Sequence, residues 1–161
     1  RATRHDDGCH HEAVHTSPHP HPVRRAGASD FALVLGLIEQ FYRVDGHHFD
    51  DGHIGRALTP LLHDDTHGQV WLLGEPPLGY AIVTWGYSLE SGGREALLDE
   101  IYVARQGVGL GSQLLEAVVE QARKAGAATM FLETEAPNER ARRFYQRHDF
   151  TTEDSIWLSR A

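Results

Sequence analysis

The sequence has only one cysteine, Cys9, and one methionine, so no intrachain disulfide can staple it and the fold must rest on packing. That agrees with a reducing compartment, and a cytoplasmic location is the expectation. No apolar run approaches the roughly 20 residues needed to cross a bilayer, so no membrane partner is expected. The stretch from Arg1 to Pro22 is polar and His-rich, without the apolar core of a secretory signal. Basic residues are also scarce: 15 Lys and Arg face 23 Asp and Glu, a formal charge of −8. Phosphate-backbone binding needs a basic surface that releases counterions, so nucleic acid is a poor partner. An acidic surface instead attracts cationic small molecules or basic peptides over about a Debye length, roughly 8–10 Å. Solubility alone would also account for it.

What remains describes one ordinary globular unit. Its 161 residues are 40% hydrophobic with three Trp, enough for a single core. Residues 1–22 stand apart as an extension, with His5, His10, His11, His15, His19 and His21 among Asp6, Asp7, Cys9 and Glu12. Their spacings match no closed Cys/His framework, so no metal site is expected. The domain proper runs over 23–161.

Periodicity then lays out the elements. A short strand starts at Val23, and Asp30 is a candidate N-cap for a helix over Phe31 to Arg43, stopped by Gly46. A second helix is expected from about His53 to Leu62. Val70 to Leu73 and Leu78 to Tyr87, parted by Glu75-Pro76-Pro77, are expected to form antiparallel strands. After Ser91-Gly92-Gly93, Ala96 to Val103 has the near-continuous apolar run of a strand covered on both faces. Gly109 to Ala125 carries an apolar stripe of Leu110, Leu114, Leu115, Val118, Val119 and Ala122, with Gly126 as its stop. Ala128 to Thr134 returns as a strand, Asn138 to Arg147 as a helix, and Ser155 to Ser159 as a last strand. The order describes a mixed α/β layer architecture.

The chemistry concentrates at Gln106-Gly107-Val108-Gly109-Leu110-Gly111, where glycines at a strand-to-helix turn let backbone N–H groups approach an anion and the helix N-terminus adds about half a positive charge. Phosphate is the natural ligand. The glycines alone leave three readings open. One is local backbone geometry without a ligand. A second is a Rossmann-type dinucleotide site of an oxidoreductase, with Glu133 near the offset of a ribose carboxylate. Against it, Ser112 occupies the third small position and the turn falls two-thirds through the chain. The third is a pyrophosphate held in some other fold.

The last reading gains from a resemblance. The turn is similar to the Gln/Arg-x-x-Gly-x-Gly/Ala signature of the GCN5-related N-acetyltransferases, and the similarity extends through Asp99-Glu100-Ile101-Tyr102-Val103 before it and Asn138, Ala141, Phe144-Tyr145 and Phe150 after it. Tyr87-Ser88-Leu89-Glu90, Gly92-Gly93-Arg94 and the acidic pair resemble the bacterial branch near the diamine acetyltransferases. Two features depart from the family pattern. Only Ala104-Arg105 separate Val103 from Gln106 where a longer, proline-containing loop is usual, and Asp149 replaces a glycine at a helix end.

The resemblance implies a mixed sheet with helices on both faces, splayed between the strand of Ile101 and the strand of Leu132. Acetyl-CoA would be the cosubstrate, with no metal required. Backbone groups of Ile101, Tyr102 and Val103 would take the pantetheine arm, and Gln106, Gly107, Val108, Gly109, Leu110, Gly111 and Ser112 the pyrophosphate. Asn138, Ala141 and Tyr145 would line the channel. An amine would attack the thioester carbonyl directly. A lysine-like ammonium, with a pKa near 10.4, must first lose a proton. Glu100 is the first candidate base and Asp99 the second; strand alternation would send them to opposite faces. Tyr145 would protonate the departing thiolate. Tyr42, Asp45, Trp71, Trp85, Tyr87 and Glu90 are candidates for a cationic acceptor cleft. A homodimer is the expectation from family habit and the frequency of twofold oligomers. A silent CoA-binding sensor is the alternative from another class, disfavoured because a binding module needs no leaving-group acid.

Overall fold

The computed structural model describes residues 20–160. The His-rich stretch falls almost wholly outside these residues. Ten elements follow in order: β1 Val23–Arg25, a 3-10 turn Ala28–Asp30, α1 Phe31–Asp45, α2 Asp51–His63, β2 Gly68–Leu73, β3 Gly79–Ser88, β4 Gly93–Val103, α3 Leu110–Lys124, β5 Thr129–Leu132 and α4 Glu139–Gln146.

The five strands form one sheet in the order β1-β2-β3-β4-β5. Every neighbouring pair is antiparallel except β4 with β5, which the α3 crossover makes parallel. A dinucleotide-binding fold needs a mostly parallel sheet, so the Rossmann reading falls here. Helices cover both faces, as expected.

Each face carries its own core. On one side Val34, Leu37, Ile38, Leu58 and Leu62 of α1 and α2 pack on Val70, Leu72, Tyr80 and Ile82. On the other, Leu110, Leu114, Leu115, Val118 and Ala122 of α3 pack on Leu73, Ala81, Val83, Ala96 and Leu98. The α3 stripe is the one marked by its helical spacing, and each fully buried Leu or Val contributes roughly 1.5–3 kcal/mol.

Several helix ends differ from expectation in instructive ways. Asp30 occupies the cap position of α1 but makes no cap hydrogen bond. Its carboxylate instead accepts from Arg24 at 2.8 and 2.9 Å and from Gly27 N–H at 2.9 Å, closing the entry to the helix from outside. Helix α2 starts two residues before His53 because Asp50 accepts the His53 N–H at 2.8 Å. Gly46, at φ +75°, ends α1 as expected.

The strand expected over Ser155 to Ser159 does not form. Residues 155–159 have no strand partner, and Ile156, Trp157 and Leu158 are exposed. A local apolar run marks a strand only when an edge receives its backbone hydrogen bonds, and here none does.

Candidate active site

The sheet opens where it was expected to. Pairing between β4 and β5 runs from Glu95 opposite Thr129 to Leu98 opposite Leu132 and stops there, while β4 continues to Val103. Backbone groups from Asp99 to Val103 therefore have no strand partner on the β5 side, and Ile101, Tyr102 and Val103 lie along that free edge.

At the opening, β4 carries an extra residue. Ile82 of β3 pairs with Glu100 and Val83 with Leu98, leaving Asp99 unpaired in a β-bulge. The bulge shifts the alternation. Ala96 and Leu98 belong to the α3-side core, and so do Ile101 and Val103 beyond the bulge. Asp99, next to Leu98, and Glu100, next to Ile101, are thus both directed to the α1/α2 side. This corrects the expectation, from uninterrupted alternation, that they point to opposite faces.

The two carboxylates are held differently. Glu100 Oε1 accepts the Tyr42 hydroxyl at 2.9 Å and Oε2 accepts the Tyr80 hydroxyl at 2.7 Å. Tyr42 lies near the C-terminus of α1 and Tyr80 on β3, fully buried. Burial raises the Glu100 carboxyl above its ordinary pKa, Asp99 adds to the rise, and the two phenols and His47 oppose it. Burial likewise raises Asp99, which retains solvent-exposed surface and accepts no hydrogen bond among the described residues. Both phenols are pushed well above the usual tyrosine range, by burial first and by Glu100 second, so they remain donors. Tyr80 had no sequence signal: nothing local says that a tyrosine of β3 meets a carboxylate 20 residues away.

The glycine turn fits a phosphate ligand. Gly107 at φ +79° and Gly109 at φ +83° occupy left-handed conformations, and no atom lies within 4 Å of where a Cβ would stand on either. The turn is open on that side, and the first amides of α3 lack intrahelical partners as at any helix start. The short Ala104-Arg105 approach therefore does not block the cradle. Gln106 and Val108 are exposed, whereas the Leu110 side chain is buried in the core, leaving only its backbone available. Gly111 packs against Phe144. Ser112 Oγ lies 2.9 Å from His148 Nε2, and His148 Nδ1 lies 2.6 Å from Glu116.

Helix α4 supplies the opposite wall. Asn138 is its N-cap, accepting the Ala141 N–H at 3.0 Å, so its carbonyl oxygen and that amide are engaged with each other. Tyr145 packs at ring distances of 5.2 Å from Phe144 and 5.7 Å from Phe150, and burial pushes its phenol up to about 12. It faces a groove of about 1160 Å³ shared with Trp85, Leu97, Met130 and Leu132.

The acceptor candidates separate. Tyr42 joins Glu100, and Asp45 pairs with His47 at 2.7 Å, 5.9 Å from the Tyr42 ring by ring centroids. Trp71 is instead a core residue, its indole N–H bonded to Gln69. Trp85 donates to the Asp65 carbonyl and stacks under Arg94. Tyr87 pairs with Arg94, six positions before Glu100 and thus roughly 20 Å along the strand, and Glu90 sits in the adjoining turn. The structure does not bring Tyr87 and Glu90 to the acidic pair.

A splayed parallel pair, an open glycine turn at the head of α3 and a buried tyrosine on α4 repeat the arrangement that the signature residues implied. The profile of the Acetyltransferase (GNAT) family matches residues 36–150. The chain belongs to that family. A candidate acetyltransferase from Arthrobacter sp. FB24 is 32% identical over 87% of this chain and 95% of its own, with a TM-score of 0.77. An integron cassette protein from the mobile metagenome of Cole Harbour Salt Marsh is 28% identical over 86% and 89%, also at 0.77. A possible acetyltransferase from Clostridium difficile 630, 16% identical over 89% and 98%, shares the fold at 0.79. No curated protein matches the sequence. The protein is an N-acetyltransferase, and GNAT enzymes generally use acetyl-CoA. Among the described residues no group of three or more His, Cys, Asp or Glu could hold a metal ion, and no helix is long and apolar enough to cross a membrane.

Proposed function

We propose that the protein transfers an acetyl group from acetyl-CoA to the primary amine of a cationic small molecule or basic peptide, in the manner of the diamine acetyltransferases. The observation that carries this reading is the placement of Asp99 and Glu100 on one face of β4, at the point where β4 parts from β5. Two neighbouring carboxylates on one face, Glu100 half-buried and Asp99 at the open surface, favour a cation over a neutral or anionic acceptor.

Acetyl-CoA supplies the activated carbonyl. The amides of Gly107 to Ser112 hold the pyrophosphate and the free β4 edge from Ile101 to Val103 holds the pantetheine arm. Asn138 and Ala141 stand at the channel mouth. The acidic pair takes one proton from the ammonium, freeing the nitrogen lone pair. As the N–C bond forms and the C–S bond breaks, Tyr145 gives its proton to the departing sulfur. Bond formation leaves the nitrogen with one proton too many for a neutral amide; that proton passes through solvent to the Tyr145 phenolate and the one held by the carboxylate is released, so each turnover frees one proton and the cycle balances.

The test uses the full chain with acetyl-CoA and a panel of polyamines, aminoglycosides, lysine derivatives and peptide N-termini. Thiol release and a mass gain of one acetyl group are measured together. Transfer to cationic amines is expected, together with a higher melting temperature in CoA than in NAD. Preference for a neutral or acidic acceptor overturns the substrate class. Stabilisation by CoA without transfer to any acceptor favours the sensor.

A further inference from the structure

We infer that Tyr42 and Tyr80 divide the acidic pair into two roles: Glu100, held by both phenols, is a fixed counter-charge that anchors the acceptor ammonium, and Asp99 is the group that takes its proton. The inference rests on the acetyl-transfer reading above and deepens it.

Each oxygen of Glu100 accepts one phenolic hydrogen, at 2.9 Å from Tyr42 and 2.7 Å from Tyr80. A carboxylate oxygen has two lone pairs, so one acceptor position per oxygen remains for an ammonium. Both donors are rigidly placed. Tyr80 is fully buried on β3, its ring 6.1 Å from that of Tyr102. Tyr42 is braced by Phe41 at 5.8 Å and Phe49 at 6.0 Å. Two hydrogen bonds to the ionised form stabilise it against protonation and fix its direction. Burial still raises the Glu100 carboxyl overall against the pull of the two phenols, so what makes it an electrostatic anchor is geometry: both oxygens are engaged and its direction is fixed.

Asp99 is the complement. It protrudes at the bulge, on the same side as Glu100, and no donor among the described residues reaches it. Burial raises its carboxyl as it raises that of Glu100, and unlike Glu100, both of whose oxygens accept a phenol, it is left open to take a proton. The charged or titratable groups facing the pair are Tyr42 from α1, His47 from the following turn, Tyr80 from β3 and each other from β4. An ammonium between the carboxylates would donate one hydrogen to Glu100, which keeps its charge, and pass another to Asp99. The amine lone pair is then free, the proton is on Asp99, and no other reactant is needed.

The consequence is a separation of kinetic parameters. Asp99→Asn should lower kcat by about 100-fold, within the range for loss of a general base, with little change in amine KM. Glu100→Gln should raise amine KM by tenfold or more while kcat falls far less. Tyr42→Phe and Tyr80→Phe each remove a hydrogen bond from the ionised form, so the Glu100 pKa should rise. The acid limb of kcat/KM for the amine should then move to higher pH, and Tyr80→Trp should abolish the site. Tyr42→Phe is the control for folding, because its ring sits at the helix end and not in the closed core.

The reverse pattern, with Glu100→Gln losing kcat and Asp99→Asn losing only KM, would overturn the assignment. So would phenylalanine variants whose melting temperature and CoA affinity match wild type and whose acid limb does not move. Failure of the wild-type chain to acetylate any amine is a different result, which removes the acetyl-transfer reading itself.

Discussion

The ring of Phe144 closes over Gly111: a Cβ added at Gly111 would stand 3.5 Å from Cζ, an ordinary contact distance. This tight but tolerant approach joins α4 to the first turn of α3, behind the glycine cradle.

Gly111→Ala should therefore melt within about 2 °C of wild type and keep its CoA affinity within about threefold, in line with a signature that accepts Gly or Ala there. Gly111→Leu adds three more carbons toward Phe144, and overpacking of this kind costs about 1–3 kcal/mol. At about 2–4 °C per kcal/mol for a chain of this size, a loss of several degrees is expected. Gly107 and Gly109 present the opposite case, since open space surrounds the missing Cβ but φ is positive. Alanine there should cost about 1–2 kcal/mol through backbone strain alone. Thermal melts of the three alanine variants check the order: Gly111 mildest, the other two worse.

Much of this arrangement was legible in the sequence, and the parts that were not share a cause. The α3 stripe, the Gly46 and Gly126 stops and the glycine turn are local patterns, set by helical spacing and by φ. The bulge at Asp99 is not local. It adds one residue to a strand of period two, and only the register against Ile82 and Val83 reveals it. Tyr80 was hidden for the same reason, its partner being chosen by strand pairing. Trp71 and Ile156-Trp157-Leu158 show the reverse error, in which residue type suggested a cleft and a strand while packing and the lack of a paired edge decided otherwise.

Asp149 is the only non-glycine among the described residues with positive φ, at +64°. It stands where the family commonly has glycine, just past α4, and an L-residue held there costs about 1–2 kcal/mol. Asp tolerates this conformation better than most residues, and glycine gives back part of the gain through its own entropy. Asp149→Gly should stabilise by about 0.5–1 kcal/mol, seen as a rise of about 1–4 °C in Tm. A fall in Tm would mean that the Asp149 side chain makes a compensating contact.

The Arg24–Asp30 pair makes a prediction about acid. Hydrogen bonds from Arg24, then from Gly27, hold the Asp30 carboxyl down at about 2. An unfolded aspartate titrates near 3.9. A carboxyl depressed in the folded state adds stability that is complete above the unfolded value and is lost as pH falls through the folded one. The contribution should therefore fade between about pH 4 and pH 2. Asp30→Asn should be less stable than wild type at pH 7, and the two should converge as the pH approaches 2. Denaturant midpoints measured at pH 7, 4, 3 and 2 follow the difference, and a gap that stays constant with pH would assign the loss to packing.

Tyr145 carries the sharpest catalytic prediction. Burial against Phe144 and Phe150 pushes its phenol up to about 12, so it stays protonated and able to donate throughout the range in which amines are free bases. Tyr145→Phe retains the ring contacts and removes only the hydroxyl, for which no hydrogen-bond partner exists among the described residues. Folding and CoA affinity should therefore be close to wild type. If that hydroxyl protonates the departing sulfur, kcat should fall by about 100-fold, the lower end of what a positioned acid contributes. A donor whose thiol leaving group needs no acid separates the roles: with an acetyl thioester of low thiol pKa, the deficit of Tyr145→Phe should shrink. An equal deficit with both donors would mean that the hydroxyl orients the thioester and does not protonate it, and unchanged turnover with acetyl-CoA would remove Tyr145 from the mechanism.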